Sequence, residues 1–236
     1  MAAGEGLLKL SGFPGGQSPP GFSGEPSMIR LTRLLALLFA ALLAATSTAG
    51  PGKFNKVLGI GDPAPAWTDL EGVDGRKHSL ADLKDKDVVV VVFTCNSCPV
   101  AAGYEDRIIA FAEQHARPDS KVGLVAINVN TGKDDALPAM KTRAAKKKLN
   151  YPYLFDPSQD IARKYGAMFT PEFFVLDKNR KVVYSGAMDD KAPPGEPKTH
   201  YLEAAVAAAL AGKPADAAET SAAAGCKIKF NAKTDE

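Results

Sequence analysis

The feature that most constrains this chain is a run of β-branched and aromatic residues, Val88 to Thr94, that stops at Cys95-Asn96-Ser97-Cys98-Pro99. Such a run reads as a strand buried on both faces. Beyond it, Val100, Tyr104, Ile108, Phe111 and His115 recur at the spacing of one helix face. Two cysteines therefore sit where a buried strand passes into a helix. Helix N-termini expose unpaired N–H groups and a partial positive charge, which favour thiolate over thiol. A second thiol one turn on can attack a mixed disulfide formed at the first. The arrangement points to a dithiol–disulfide redox site, with Cys95 at the exposed helix start as the attacking thiolate and Cys98 resolving.

The flanking segments build an α/β domain around that stretch. Pro63 and Pro65 exclude a helix before Trp67, and Gly72 with Asp74-Gly75 signals a hairpin. Lys121 to Asn128 predicts a second buried strand. Pro138 opens a helix reaching about Leu149. Tyr153 to Phe155 is short and extended; Asp156-Pro157 caps a helix over Ile161 to Tyr165, stopped by Gly166. Phe173–Leu176 and Lys181–Tyr184 predict a strand hairpin, and Thr199 caps a last helix carrying Leu202, Val206 and Leu210. Parallel strands joined by helices and finished by an antiparallel pair give a mixed central sheet with helices on both faces.

Residues 57–212 form the predicted domain. Residues 213–236 form an alanine-rich tail, loose until Gly225-Cys226-Lys227-Ile228-Lys229-Phe230, whose alternation suggests a short strand. At the other end, Arg30 and Arg33 precede the twelve apolar residues Leu34 to Ala45, and Ser47-Thr48-Ala49 offers small residues for cleavage. Residues 28–49 read as a signal peptide or, if uncleaved, a membrane anchor; a spanning helix needs about 20 apolar residues. Residues 1–27 have the Gly, Pro and Ser content of disordered chain, upstream of Met28 as the expected true start. The expected location is exported, periplasmic or otherwise extracytoplasmic.

Charge excludes little but nucleic acid. The formal +2 falls to +1 once Lys9, Arg30, Arg33, Glu5 and Glu25 are removed, which gives no electrostatic footprint for a polyanion. Three cysteines are too few for a disulfide-stapled scaffold. A metal module using Cys95, Cys98 and Cys226 with His78, His115 or His200 is a weaker alternative, because structural zinc sites usually bring two close pairs.

A Cys-x-x-Cys opening a helix, with Thr170-Pro171 just before a hairpin strand, resembles the thioredoxin-like superfamily. Gly61-Asp62-Pro63-Ala64-Pro65 and the strand Phe173-Val175-Leu176-Asp177 resemble its redoxin (alkyl hydroperoxide reductase/thiol-specific antioxidant-like) branch. Asn96-Ser97-Cys98-Pro99-Val100 and the closing segment around Cys226 suggest a bacterial subgroup there. The resemblance implies a thiol–disulfide oxidoreductase that needs no metal, haem or nucleotide. It also implies a cis Pro171 packed against the cysteines, turning the Thr170 backbone towards an extended protein substrate that pairs as an added strand.

Two departures matter. Thioredoxins carry a buried carboxylate six residues before the first cysteine, where this chain has Val89, so the proton route is open. Glu172 and Glu105 are near enough in sequence to be considered, although exposed structural roles are the expectation for both. The Asn-Ser dipeptide is neutral, which points to an intermediate-to-reducing couple.

The competing reading is a peroxiredoxin-like antioxidant peroxidase. That family places a proline seven and a threonine or serine three residues before the reactive cysteine. Here those places are Val91 and Cys95 counted from Cys98, or Val88 and Val92 counted from Cys95. Cys226 is open between a packing cysteine and an additional redox thiol brought back to the site by the tail. An oxidising location would require a redox partner protein besides the substrate.

Overall fold

The computed structural model describes residues 51–222 and 224–232. The leader expected at residues 28–49, and the segment before it, lie outside the described residues. Among the described residues no helix is long and apolar enough to cross a membrane.

The strands are β1 Leu70–Gly72, β2 Lys77–His78, β3 Val88–Thr94, β4 Val122–Asn128, β5 Tyr153–Phe155, β6 Phe169–Thr170, β7 Glu172–Leu176, β8 Val182–Gly186 and β9 Cys226–Lys227. The helices are α1 Pro99–His115, α2 Leu137–Lys147, α3 Asp160–Tyr165 and α4 Tyr201–Leu210, with a 3-10 turn at Leu80–Leu83. A mixed sheet runs β2-β1-β5-β4-β3-β7-β8. β3 pairs in parallel with β4, from Val88 opposite Val122 to Thr94 opposite Asn128. On its other edge β3 runs antiparallel to β7. Every residue of β3 and β4 is buried, which is why these strands lack a polar face.

Alternation along β3 divides the core. Val88, Val90 and Val92 pack with Tyr104, Ile108 and Phe111 of α1, Met140 of α2, and Leu202 and Val206 of α4. Val89, Val91 and Phe93 face the other way, onto Trp67 and onto Ile161 and Tyr165 of α3. Phe93, Tyr165 and Phe174 meet edge to face at 5.2–5.7 Å, a geometry that adds roughly 0.5–1.5 kcal/mol per pair beyond area burial. Each fully buried valine contributes about 1.5–3 kcal/mol. The cysteine pair thus follows directly on a strand buried along its whole length.

Three local expectations are corrected. Asp156 accepts the Ile161 amide at 3.0 Å, but Ser158 and Gln159 intervene and α3 begins only at Asp160. The residue before α4 is His200, not Thr199, and no side chain caps that helix. The tail is held at Ala218–Thr220 rather than loose: Ser185 exchanges backbone bonds with it (Ser185 N–H to the Ala218 carbonyl, Thr220 N–H to the Ser185 carbonyl, both 3.0 Å), and the Thr220 and Tyr184 hydroxyls meet at 2.6 Å. Backbone pairing along β8 supplies order that alanine side chains do not.

Candidate functional site

β3 delivers Cys95 one residue past its end, and α1 starts at Pro99. Proline has no N–H to lose at the first helical position and its φ is preset for it. Pro99 therefore fixes Cys98 as the N-cap, with φ −86° and ψ 117°. The Cys98 sulfur accepts the Ala101 N–H at 3.3 Å. This is where the structure departs from the expected polarity: Cys98, rather than Cys95, holds the position at the positive helix end. Nor is Cys95 exposed. Its exposure is 3% and that of Cys98 is 2%.

Facing the pair is the turn between β6 and β7, where the Thr170–Pro171 peptide is cis. The Thr170 hydroxyl lies 3.3 Å from the Cys95 sulfur. Its carbonyl accepts the Cys98 thiol at 3.2 Å. Thr170 thus touches both sulfurs, and its hydroxyl bears on Cys98 as well as on Cys95. Glu172 accepts the Met168 and Phe169 amides at 2.8 and 3.0 Å, which holds this turn in shape.

The third cysteine joins them. β9 pairs antiparallel with β6, placing Cys226 opposite Thr170 and Lys227 opposite Phe169. The Ile228 amide donates to Met168 at 2.9 Å, and Cys226 packs against the cluster of Cys95, Cys98 and Ala101. All three cysteines are free thiols.

Their electrostatics differ. Burial pushes the Cys95 thiol up, and the nearby Asp135 carboxylate adds to this; the Thr170 and Ser97 hydroxyls offset only part. Burial acts on Cys98 in the same direction but is outweighed by hydrogen bonds from the Cys226 thiol, the Ala101 amide and Thr170, so Cys98 falls below the ordinary thiol range. Cys226, as donor to Cys98 and partly buried, is pushed up to about 11. Of the three thiols, Cys98 alone is shifted towards the thiolate.

A carboxylate that the sequence did not reveal reaches Cys95. Asp135 is buried in the loop before α2. Its Oδ1 accepts the Asn96 and Ser97 amides at 2.7 and 3.1 Å, and its Oδ2 accepts the Ser97 hydroxyl at 2.6 Å. That hydroxyl stands 3.8 Å from the Cys95 sulfur. The chain Cys95–Ser97–Asp135 brings a carboxylate near the thiol from a different element than the one that carries Val89. The only sequence signal was an acid between two strands, one among many.

Glu105 and Glu172, expected as exposed carboxylates, are both buried at 7% exposure. Glu105 is engaged by Arg143 at 2.7 and 2.8 Å, tying α1 to α2. Arg107 likewise binds Asp189 at 2.7 Å. The histidines lie apart from the cysteines: His78 on Asp74 at 3.1 Å, His115 stacked on Phe111 at 4.9 Å, and His200 3.9 Å from Glu203. Among the described residues no group of three His, Cys, Asp or Glu is placed to hold a metal.

Residues 60–203 match the family model described as Redoxin. The thiol-disulfide oxidoreductase ResA of Geobacillus thermodenitrificans is 26% identical over 168 residues, 70% of this chain and 90% of the relative. A Mycobacterium tuberculosis protein provisionally named a peroxiredoxin is 26% identical over 139 residues, 52% of this chain and 81% of its own. Among solved structures, an uncharacterized conserved protein of Geobacillus kaustophilus superposes with a TM-score of 0.68 at 30% identity, covering 79% of this chain and all (100%) of the other.

Proposed function

The chain belongs to the redoxin family and is a thioredoxin-like oxidoreductase, and from that premise we propose that it works by dithiol–disulfide exchange through Cys95 and Cys98 on exported protein substrates. The observation that carries the reading is the placement of both sulfurs on Thr170, at 3.3 and 3.2 Å, beside the cis peptide. The Cys98 thiolate attacks a substrate disulfide, forms a mixed disulfide and expels one substrate thiolate, which takes up a proton. Cys95 then gives its proton to Asp135 by way of Ser97 and attacks the Cys98 sulfur. The Cys95–Cys98 disulfide forms, the second substrate thiolate leaves, and two electrons have passed to the substrate. Reversed, the same steps oxidise a dithiol.

This assigns attack to Cys98 and resolution to Cys95, the reverse of the order expected from spacing. Cys98 is the sulfur better stabilised as an anion, first by the Cys226 thiol and then by the Ala101 amide at the helix start that Pro99 sets. Export is supported by the signal-like pattern of residues 28–49, and N-terminal sequencing of the secreted protein tests it. An oxidising compartment in turn demands a redox partner protein.

Trapping decides the exchange chemistry. The full chain carrying Cys95→Ser together with Cys226→Ser is expected to retain a disulfide-bearing peptide substrate on Cys98, whereas Cys98→Ser retains none on Cys95. Disulfide reduction undiminished in the Cys95→Ser/Cys98→Ser double variant would end the reading. Peroxide consumption by the purified wild type, abolished in the same variant, would favour the peroxidase instead.

A further inference from the structure

The substrate edge of Thr170 is already occupied, by this chain's own tail. β9 forms an antiparallel pair with β6, so the backbone that would receive an extended substrate strand receives residues 226 and 227. The approach is close enough that a Cβ on Gly225 would fall 2.4 Å from the Thr170 carbonyl oxygen. Strand pairing then puts a sulfur, that of Cys226, against Cys98.

The docking is built from both sides. Before Cys226, Thr220 is bonded to Tyr184 and to the Ala187 amide at 2.6 and 2.9 Å. After it, Ile228 is buried in the core. Gln159 donates to the Lys229 carbonyl at 2.9 Å and accepts the Asn231 amide at 2.7 Å, and Arg163 lies over the Phe230 ring at 4.4 Å. A packing cysteine needs none of this register. A cysteine that must meet a particular sulfur does.

Exposure supplies the second half of the argument. Cys95 and Cys98 are buried, whereas Cys226 is only partly so. With the tail docked, a partner protein reaches the third sulfur without reaching the first two.

Building on the exchange reading above, we propose that Cys226 is a third redox residue, the shuttle sulfur that carries the disulfide from the buried Cys95–Cys98 pair to an external protein dithiol. In the internal step the Cys226 thiolate attacks the Cys98 sulfur of the Cys95–Cys98 disulfide. The Cys98–Cys226 bond forms, the Cys95–Cys98 bond breaks, and the proton lost by Cys226 ends on Cys95. The disulfide has moved and no external oxidant is consumed. A partner thiolate then attacks Cys226 and expels the Cys98 thiolate, and the partner's second thiol displaces Cys226, leaving the partner oxidised and this chain reduced. Expelling the sulfur that is best stabilised as an anion is the favourable direction for that attack.

The test is disulfide mapping of the full chain in a glutathione redox buffer, with reduction kinetics alongside. In Cys95→Ser, non-reducing digestion is expected to recover Cys98 joined to Cys226; recovery of Cys98 joined only to glutathione, with Cys226 free, overturns the proposal. In Cys226→Ser and Cys226→Ala, the Cys95–Cys98 disulfide is expected to persist while its reduction by a protein dithiol such as thioredoxin slows at least tenfold. Reduction by a small thiol is expected to change much less. Equal or faster reduction by the protein dithiol would make the tail a mere plug and overturn the shuttle. Exchange activity that survives in the Cys226 variants but not in Cys98→Ser leaves the pair's own chemistry standing, so the two failures are distinguishable. Unchanged thermal unfolding of both Cys226 variants controls for folding.

Discussion

The Ser97 hydroxyl donates to the Asp135 carboxylate at 2.6 Å while standing 3.8 Å from the Cys95 sulfur. A carboxylate from the loop before α2 is thereby wired to a thiol at the end of β3. Its negative charge raises Cys95, yet in the mechanism proposed above it is also the acceptor of the Cys95 proton. Electrostatics and proton transfer therefore act in opposite senses.

Asp135→Asn separates them. The Cys95 thiol is expected to titrate lower once the charge is gone, whereas resolution of the mixed disulfide slows by about 10²-fold, the loss typical of a removed general base. Stopped-flow resolution rates and thiolate absorbance at 240 nm read the two effects independently. A purely structural Asp135 would shift the absorbance without slowing resolution.

The three thiols should titrate apart. In the reduced wild type, one thiolate (Cys98) forms below the ordinary thiol range, and Cys226 follows only near about 11. Cys226→Ser keeps a donor towards Cys98 and is expected to hold the low midpoint, while Cys226→Ala removes it and raises that midpoint. A low midpoint unchanged in Cys226→Ala would show that the tail thiol does not stabilise the Cys98 anion.

Gly225→Ala should loosen the tail. Its Cβ meets the Thr170 carbonyl oxygen at 2.4 Å, a backbone atom fixed by the β6–β7 turn. A clash costing about 1–3 kcal/mol raises the undocked population by roughly 5- to 150-fold. Iodoacetamide labelling of Cys98 in the native protein is expected to accelerate by that factor, with little change in global unfolding.

Glu172 is buried and its carboxyl is raised by that burial, in spite of two amide donors. The sign follows from linkage: a raised folded pKa contributes stability that is complete below the unfolded value, about 4.3, and is lost as pH rises through the folded value. Glu172→Gln keeps an acceptor for the Met168 and Phe169 amides and removes the buried charge, so chemical denaturation at pH 7 is expected to show equal or higher stability. Glu172→Ala strands those amides and should cost about 1–3 kcal/mol.

Much of the scaffold was legible before any coordinates. The Val88–Phe93 run reads as a doubly buried strand because its residues are β-branched or aromatic, and strand β3 is buried throughout. Its alternation sorts onto two helix-bearing faces, because a period of two is a local property of extended chain. Even the Cys98 N-cap was written in the dipeptide Cys98-Pro99, although spacing alone drew attention to Cys95. Burial of Glu105 and Glu172 was not legible, since a carboxylate's exposure depends on partners such as Arg143 that arrive from other elements.

What the sequence by itself determined was the strand-to-helix junction that carries two thiols, because hydrophobic periodicity and proline geometry act over a few residues. What only the tertiary structure decided was the company those thiols keep. Asp135 reaches them through a loop, and Cys226 through a strand that pairs with Thr170 across more than fifty residues of chain. Such contacts are fixed by long-range backbone pairing and burial, which no local pattern encodes.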